Sequence, residues 1–174
     1  MSAQTSYNQK MDVGVAGGLY DLTEHAIDTR NNEAADGTLK FGFGVVEGTA
    51  PGKNVKLPVA ASTKADFEGV VINSHAHEQD YKGDVSLRKG ETVGVITNGR
   101  VYVRLASEIE PSYGDPLYLI KSGDEAGYFA NAEQSEGESS NKVVTTIKLN
   151  GYFLGGKATG AVAPVYVNVD KKAD

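Results

Sequence analysis

Residues 91–105 read ETVGVITNGRVYVRL, with a β-branched run on either side of Asn98-Gly99. Asn-Gly is a strong signal for a two-residue hairpin loop, because both central residues of a type I′ turn need φ > 0, which Asn tolerates and Gly adopts freely. The stretch therefore predicts two antiparallel strands joined by a tight turn. A two-residue loop also fixes the register, which places Thr97 opposite Arg100.

The predicted register divides the hairpin into two faces, since residues that oppose each other share a face. One face is predicted to be core and carries Thr92, Gly94, Ile96, Val101, Val103 and Leu105. The other face mixes aliphatic, aromatic and cationic groups, namely Val93, Val95, Thr97, Arg100, Tyr102 and Arg104. This second face is either the solvated side of an antiparallel sheet or an interface on which Tyr and Arg serve as anchors.

Length and composition predict one β-rich domain. A chain of 174 residues is long enough to fold without disulfide bonds. It contains 21 Gly residues, with Val and Thr abundant and Leu sparse, which fits short strands joined by tight turns. Cysteine is absent, which excludes thiolate metal sites, thiol nucleophiles and a disulfide framework.

Charge and hydropathy argue against two classes of partner. The net charge is −6 and the 17 Lys and Arg residues are scattered along the chain, so nucleic acid is not the expected partner. No run approaches the roughly 18 apolar residues of a membrane span. The first ten residues, MSAQTSYNQK, also lack the apolar centre of a signal peptide. We therefore expect neither a membrane partner nor export by a standard signal.

The first 36 residues differ from the rest of the chain, because they are polar and acidic and lack a strand pattern. We predict that residues 1–36 form an extended N-terminal arm and that residues 37–174 form a single β domain. Within the arm, Asp21 with Glu24 three residues later has the spacing of a capping box. This pair predicts a short helix over residues 21–27.

From residue 39 onward the chain has the pattern of many short strands. Apolar side chains alternate with others at Leu39, Phe41, Phe43 and Val45, and a second alternation ends the chain over residues 162–169. Further strands are predicted over residues 54–60, 67–73, 85–87, 117–120 and 142–149, loops over residues 75–84 and 131–141, and one helical turn over residues 62–66. This spacing predicts an all-β fold, either an antiparallel β-sandwich, a jelly-roll-like fold or an irregular barrel.

The main enzymatic candidate is the pair His75 and His77, which follows Gly69 as in the metal-binding motif of cupin barrels. Two histidines at i and i+2 on a strand share a face and can meet one ion. Tyr81 and Lys82, however, occupy the positions where the cupin motif needs a glutamate, and no histidine follows. A cupin-like metal enzyme is therefore the weaker interpretation, and two ordinary histidines in a solvated loop are the preferred one.

Other catalytic motifs are incomplete. No Gly-x-Ser-x-Gly elbow occurs, and residues 155–160, GGKATG, lack the spacing of a phosphate-binding loop. The close carboxylates Glu108 and Glu110 lie in an acidic stretch that is typical of a solvated surface. We predict no catalytic residue, no cofactor, no metal site and no enzymatic activity.

Several motifs occur in a characteristic order along residues 16–130. They are Ala16-Gly-Gly-Leu-Tyr-Asp21, Phe41-Gly42, Phe67-Glu-Gly69-Val-Val-Ile, the stretch from Gly90 through Asn-Gly-Arg-Val-Tyr-Val, and Tyr113-Gly-Asp115-Pro-Leu-Tyr. In this order the motifs resemble the structural cement, or capsid decoration, proteins of tailed bacteriophages.

The resemblance implies a non-enzymatic virion protein that binds the outside of the phage capsid and cements neighbouring subunits of the major capsid protein. It also implies synthesis in the host cytoplasm and a homo-oligomer, either a dimer or a trimer. Repetition of weak contacts over a lattice supplies stability through multivalency. The candidate interaction residues are Tyr20, Arg100, Tyr102 and Arg104.

A second function of a different class remains open, namely a carbohydrate- or receptor-binding β module of a fibre or adhesin. Tryptophan is absent, so tyrosines would have to supply the stacking surfaces for sugar rings. The candidates for this role are Tyr20, Tyr102, Tyr113 and Tyr118.

Overall fold

Short β-strands make up almost all of the regular structure in the computed structural model of this chain, which describes residues 14–74, 87–136, 143–158 and 160–169. The strands are β1 Ala26–Asn32, β2 Gly44–Glu47, β3 Asn54–Lys56, β4 Phe67–Val71, β5 Thr92–Arg104, β6 Pro116–Ile120, β7 Phe129–Ala130, β8 Ser135–Glu136, β9 Val143–Val144, β10 Thr146–Phe153 and β11 Val162–Asn168. One 3₁₀ turn, Lys64–Asp66, precedes β4 and matches the predicted helical turn.

The main sheet has the order β1-β3-β2-β4-β5-β11-β10-β6-β7, and an additional pairing of β1 with β5 closes its first five strands into a barrel. Strands β11, β10, β6 and β7 extend from β5, and we call them the sheet extension. Strands β8 and β9 form a separate two-stranded sheet. The predicted all-β class is confirmed, whereas this sheet order gives no support to the sandwich and jelly-roll alternatives.

The stretch predicted as a hairpin is instead one continuous strand, β5, so that prediction is wrong. Its first part pairs with β1, where Gly94 opposes Thr29, and its second part pairs with β11, where Val101 opposes Val165. Gly99 has φ +138°. Gly99 therefore has the positive φ that was predicted for it, whereas Asn98 does not, and both residues lie within a strand that is paired with distant parts of the chain.

A bulge in β5 explains how most of the core face was predicted correctly from a wrong hairpin. Ala26 of β1 pairs with Asn98, and the next residue, Ile27, pairs with Ile96. Thr97 is therefore an extra residue in β5. One extra residue shifts the alternation of side chains by one, so residues after the bulge point to the opposite face from the one expected in a regular strand. The two-residue loop of the predicted hairpin would shift the alternation in the same way. Four of the six residues predicted as core therefore still share one buried cluster, namely Ile96, Val101, Val103 and Leu105, whereas Thr92 is exposed and Gly94 is half-buried.

The predicted mixed face is divided by the same bulge. Val93 and Val95 are buried in a second cluster, together with Val45, Val55 and Val71 of the other barrel strands. Closure of the barrel covers this side of the first half of β5, so its aliphatic residues become core. Only the second half of the mixed face retains polar and aromatic character.

Two hydrophobic clusters divide the interior. The second cluster is built from barrel strands and the loops beside them. The first joins the barrel to the sheet extension, because it combines Phe67 and Val70 of β4 with Leu119, Phe129 and Phe153 of the extension. The extension is therefore packed against the barrel as part of the same fold.

Strand β1 lies within the predicted N-terminal arm of residues 1–36 and closes the barrel. Earlier residues are also anchored, since the Gly17 N–H donates to the Tyr102 carbonyl at 2.7 Å and the Tyr102 N–H donates to the Gly18 carbonyl at 2.9 Å. Most side chains of β1 are exposed, so hydrophobic periodicity could not reveal a strand whose main contribution is its backbone. This part of the predicted arm is a barrel strand, and residues 1–13 lie outside the described residues.

The predicted helix over residues 21–27 does not form. Asp21 accepts a hydrogen bond from the Thr23 N–H at 3.2 Å, which stabilises a turn, and β1 begins at Ala26. Strand β8 lies within the predicted loop of residues 131–141 and pairs with β9, so this part of the predicted loop is a strand. The predicted loop over residues 75–84, and all but the last residue of the strand predicted over 85–87, lie outside the described residues.

Glu33 follows β1 and is hydrogen-bonded to the connection between β2 and β3 and to the first residue of β3. Its carboxylate accepts hydrogen bonds from the Thr49 N–H at 2.8 Å, from the Thr49 hydroxyl, and from Asn54 Nδ2 at 2.5 Å. The hydrogen bond from the Thr49 hydroxyl is the first cause that holds the pKa of Glu33 below its ordinary value, followed by the Thr49 amide and Asn54. The carboxylate is therefore bound in its ionised form.

Acidification is expected to weaken this attachment. A depressed folded-state pKa stabilises the fold above the unfolded-state pKa, and the stabilisation is lost as the pH falls through the folded-state pKa. The melting temperature of the wild type should therefore exceed that of Glu33→Gln at pH 7, and the difference should shrink below about pH 5. Glu24→Gln, at an exposed position, is the matched control. A difference that stays constant with pH would contradict the assigned role of Glu33.

Candidate interaction surface

One face of the sheet extension carries aromatic side chains beside an arginine. Arg100 of β5 opposes Tyr166 of β11, which in turn opposes Tyr152 of β10. On the other side of β5, the Tyr20 N–H donates to the Arg100 carbonyl at 3.0 Å. Directly opposed residues share a face and are neighbours. We call Tyr20, Arg100, Tyr152 and Tyr166 the tyrosine–arginine row.

The tyrosine–arginine row is exposed while the opposite face of the same strands is core. Tyr20 is 41% exposed and Tyr152 is 38% exposed, whereas Val101 and Val165 on the opposite face are 0% exposed. The rings of Tyr152 and Tyr166 have centroids 5.5 Å apart. These aromatic groups are therefore held on a packed sheet with their outer surfaces in solvent.

Arg100 of the row forms an ion pair with Asp21, the residue that follows Tyr20 in the chain. Arg100 Nη1 donates to Asp21 Oδ2 at 2.7 Å, and the two side chains are 39% and 29% exposed. The hydrogen bond from the Thr23 hydroxyl, and then that from Arg100, hold the pKa of Asp21 below its ordinary value. The hydrogen bond to Asp21 raises the pKa of Arg100. Both groups are thus charged at neutral pH, although an exposed pair of this kind adds little to stability.

The other two predicted interaction residues have structural positions. Tyr102 is 6% exposed and packs with Ala16 and Val162, and burial raises the pKa of its hydroxyl. Arg104 Nε donates to the Phe41 carbonyl at 2.9 Å. Of the four predicted residues, Tyr20 and Arg100 belong to the row, whereas Tyr102 packs beneath the N-terminal segment and Arg104 supports a loop.

Sequence reasoning missed Tyr152 and Tyr166. The alternation in β11 does place Tyr166 on the opposite face from Val165 and Val167, and this signal was available. Their position beside Arg100 depends on the pairing of β5 with β11 and of β11 with β10, which joins distant parts of the chain.

The four tyrosines proposed for sugar stacking do not converge. The rings of Tyr20 and Tyr102 have centroids 5.6 Å apart, but Tyr102 is buried. Tyr118 packs against a different cluster, with Ile120. Tyr113 is 76% exposed on the turn before β6.

The described part of the chain contains no cluster of three or more His, Asp or Glu side chains that could hold a metal ion. His75 and His77 lie outside it. Glu110 forms an exposed ion pair with Lys157 at 3.0 Å, in agreement with the solvated surface predicted for that stretch. None of the described helical segments has the length and apolar character needed to cross a membrane.

The barrel, its sheet extension and the tyrosine–arginine row define a β protein with the residue types of a protein–protein contact on one exposed sheet face. The chain belongs to the phage structural cement family, because the family model described as "Structural cement protein (E217 gp24/Pam3 gp6)" matches residues 3–168. It is therefore a structural protein of a phage virion, and the resemblance found in the sequence is confirmed.

A solved structure supports the fold. A chain described as "The capsid of Myoviridae Phage XM1" superimposes with a TM-score of 0.64 at 19% sequence identity, over 97% of this chain and 98% of that chain. No curated protein sequence matches this chain. The likeness at this level of identity concerns the fold.

Proposed function

We propose that this protein binds the outer surface of the phage capsid as a homo-oligomer and cements neighbouring subunits of the major capsid protein. Membership of the structural cement family, matched over residues 3–168, is the observation that carries this proposal, and the tyrosine–arginine row adds an exposed face for protein–protein contact. Tyrosine and arginine are enriched in protein interfaces, because both bury a large area and retain hydrogen-bonding groups. Here these residues lie on one exposed face of a packed sheet.

The packing of the fold is suited to a protein that holds neighbouring capsid subunits together against a mechanical force. Strand β5 is paired along both edges, with β1 on one side and β4 and β11 on the other. The first hydrophobic cluster fastens the sheet extension to the barrel. A force applied to one surface is therefore transmitted through packed strands to the other, because a close-packed core deforms little.

The cementing role needs many modest contacts rather than one strong contact. Each copy that touches more than one subunit raises the effective concentration of its remaining contacts, so release requires several contacts to break together. Synthesis in the host cytoplasm followed by addition to the exterior of the head is consistent with this mode of assembly.

Binding to heads that lack this protein tests the proposal. Purified protein is mixed with such heads, and the bound fraction is measured by co-sedimentation. We expect saturable binding and a higher temperature of DNA release from the decorated heads. Heads that sediment without the protein, or release DNA at an unchanged temperature, would overturn the cement role.

Removal of residues 1–13 is expected to weaken head binding by about tenfold and to shift the melting temperature by less than about 2 °C. These residues precede Gly17, the first described residue whose backbone bonds to β5, so the described hydrogen bonds of the barrel are all retained. Removal of residues 170–174, which also lie outside the described residues, is the matched control. Equal head binding by the two shortened variants and the wild type would exclude a role for residues 1–13.

A further inference from the structure

The tyrosine–arginine row has hydrogen-bond donors that a partner molecule could use. An arginine side chain carries five N–H donors, and within the described part of the chain those of Arg100 bond to Asp21 alone. The hydroxyls of Tyr20 and Tyr152 have no partner among the described residues. By contrast, the Tyr166 hydroxyl donates to Asn98 Oδ1 at 3.1 Å. A partner surface that matches this row has to offer acceptors, and a carboxylate suits the guanidinium best.

The local charge of the row differs from that of the whole molecule. The chain has a net charge of −6, so two copies repel each other over most orientations. At the row, Arg100 and Asp21 cancel, and the neighbouring side chains are uncharged tyrosines. Two copies can therefore approach at this face without that repulsion.

The same pair of charges is self-complementary. In a contact with two-fold symmetry, residue i of one copy meets residue j of the other, and residue j meets residue i. Arg100 of each copy can then face Asp21 of the other copy, which gives two equivalent ion pairs in one interface. The exposed apolar side chain of Leu22, which is 93% exposed, lies next to Asp21 and adds area that pairing would bury.

We propose that the tyrosine–arginine row pairs two copies of this chain around a two-fold axis, with Arg100 of each copy bound to Asp21 of the other. The inference deepens the proposed cement function by naming the partner of this face, and it leaves other surfaces for the capsid. The paired unit then presents two sets of capsid contacts, which is what a protein that bridges neighbouring subunits needs.

Complementary charge reversals test the pairing with the full chain in solution. With Arg100→Glu, two carboxylates face each other at each contact, and with Asp21→Arg, two guanidinium groups face each other there. We expect each variant alone to self-associate roughly a hundredfold more weakly than the wild type, because like charges across an interface are strongly unfavourable. An equimolar mixture of the two should regain dimers, since each mixed contact joins opposite charges while the pair within each chain stays broken.

Sedimentation velocity measures these states, and circular dichroism checks the fold of each variant. Lys53→Glu, at an exposed position in the turn before β3, is the matched charge reversal and should dimerise as the wild type does. Tyr152→Ala provides a second variant without a charge change, and it should also weaken self-association. A monomeric wild type, dimers unaffected by the reversals, or a mixture that stays monomeric would each overturn the pairing. No heads are present, so failure here is distinguishable from failure to bind the capsid.

Discussion

Replacement of Gly69 by alanine is expected to unfold the protein or to lower its free energy of unfolding by several kcal/mol, roughly half of a typical domain's stability. Gly69 lies in β4, between β2 and β5, with φ +136°. A Cβ atom built there would lie 2.2 Å from the Ile96 carbonyl oxygen and 2.8 Å from Val95 Cγ1. The nearest atom is backbone of a paired strand, so it cannot move aside as a flexible side chain would.

Gly52→Ala separates the steric clash from the backbone strain. Gly52 also has positive φ, +70°, but no atom lies within 4 Å of a Cβ built there. Its replacement should cost about 1 kcal/mol, the strain of a left-handed residue alone. Urea denaturation of both variants measures the two losses. Equal losses would show that the close approach of β4 and β5 does not limit this position.

Phe129→Ala is expected to lower the free energy of unfolding by about 3–5 kcal/mol, because it leaves a cavity in a close-packed core. Phe129 is 0% exposed and belongs to the cluster that joins the barrel to the sheet extension. Its ring packs beneath Gly44 of β2, where an added Cβ would lie 2.9 Å from Phe129 Cζ. The substitution therefore removes contacts between the two parts of the fold.

A graded series tests the cavity explanation. Phe129→Leu should cost clearly less than Phe129→Ala, since part of the volume is retained. Tyr113→Ala removes an aromatic ring of similar size at a position that is 76% exposed, and it should change stability by less than about 0.5 kcal/mol. Denaturant midpoints with unchanged slopes measure these differences. A loss for Tyr113→Ala equal to that for Phe129→Ala would contradict burial as the cause.

Alternation and turn chemistry predicted the all-β class and the position of several strands. Strand β11, Val162–Asn168, and strand β6, Pro116–Ile120, lie where alternating apolar residues and a preceding turn placed them. The predicted core side chains Ile96, Val101 and Val103 are buried together. The strand positions have a local cause, because the period of two follows from strand geometry alone. Ile96 shares a face with Val101 and Val103 only because the bulge at Thr97 shifts the alternation by one residue.

The hairpin prediction was wrong because Asn-Gly favours a positive φ but does not decide whether the chain reverses direction there. A positive φ at Gly99 is compatible with a chain reversal and also with a bulge inside a strand. The choice depended on β1 and β11, which pair with β5 from distant parts of the sequence. Strand β1 was missed for a related reason, since its side chains are mostly exposed and its contribution is the closure of the barrel.

The residue types by themselves determined the chemistry of this protein: an acidic, cysteine-free β chain, with tyrosine and arginine beside the central strand and the ordered motifs of the cement family. Only the tertiary structure decided which of those residues share a surface. It buried Tyr102, and it brought Tyr152 and Tyr166 beside Arg100 and Tyr20. The physical reason is that side-chain character and alternation are local properties, whereas strand register is set by the sum of pairings between distant segments.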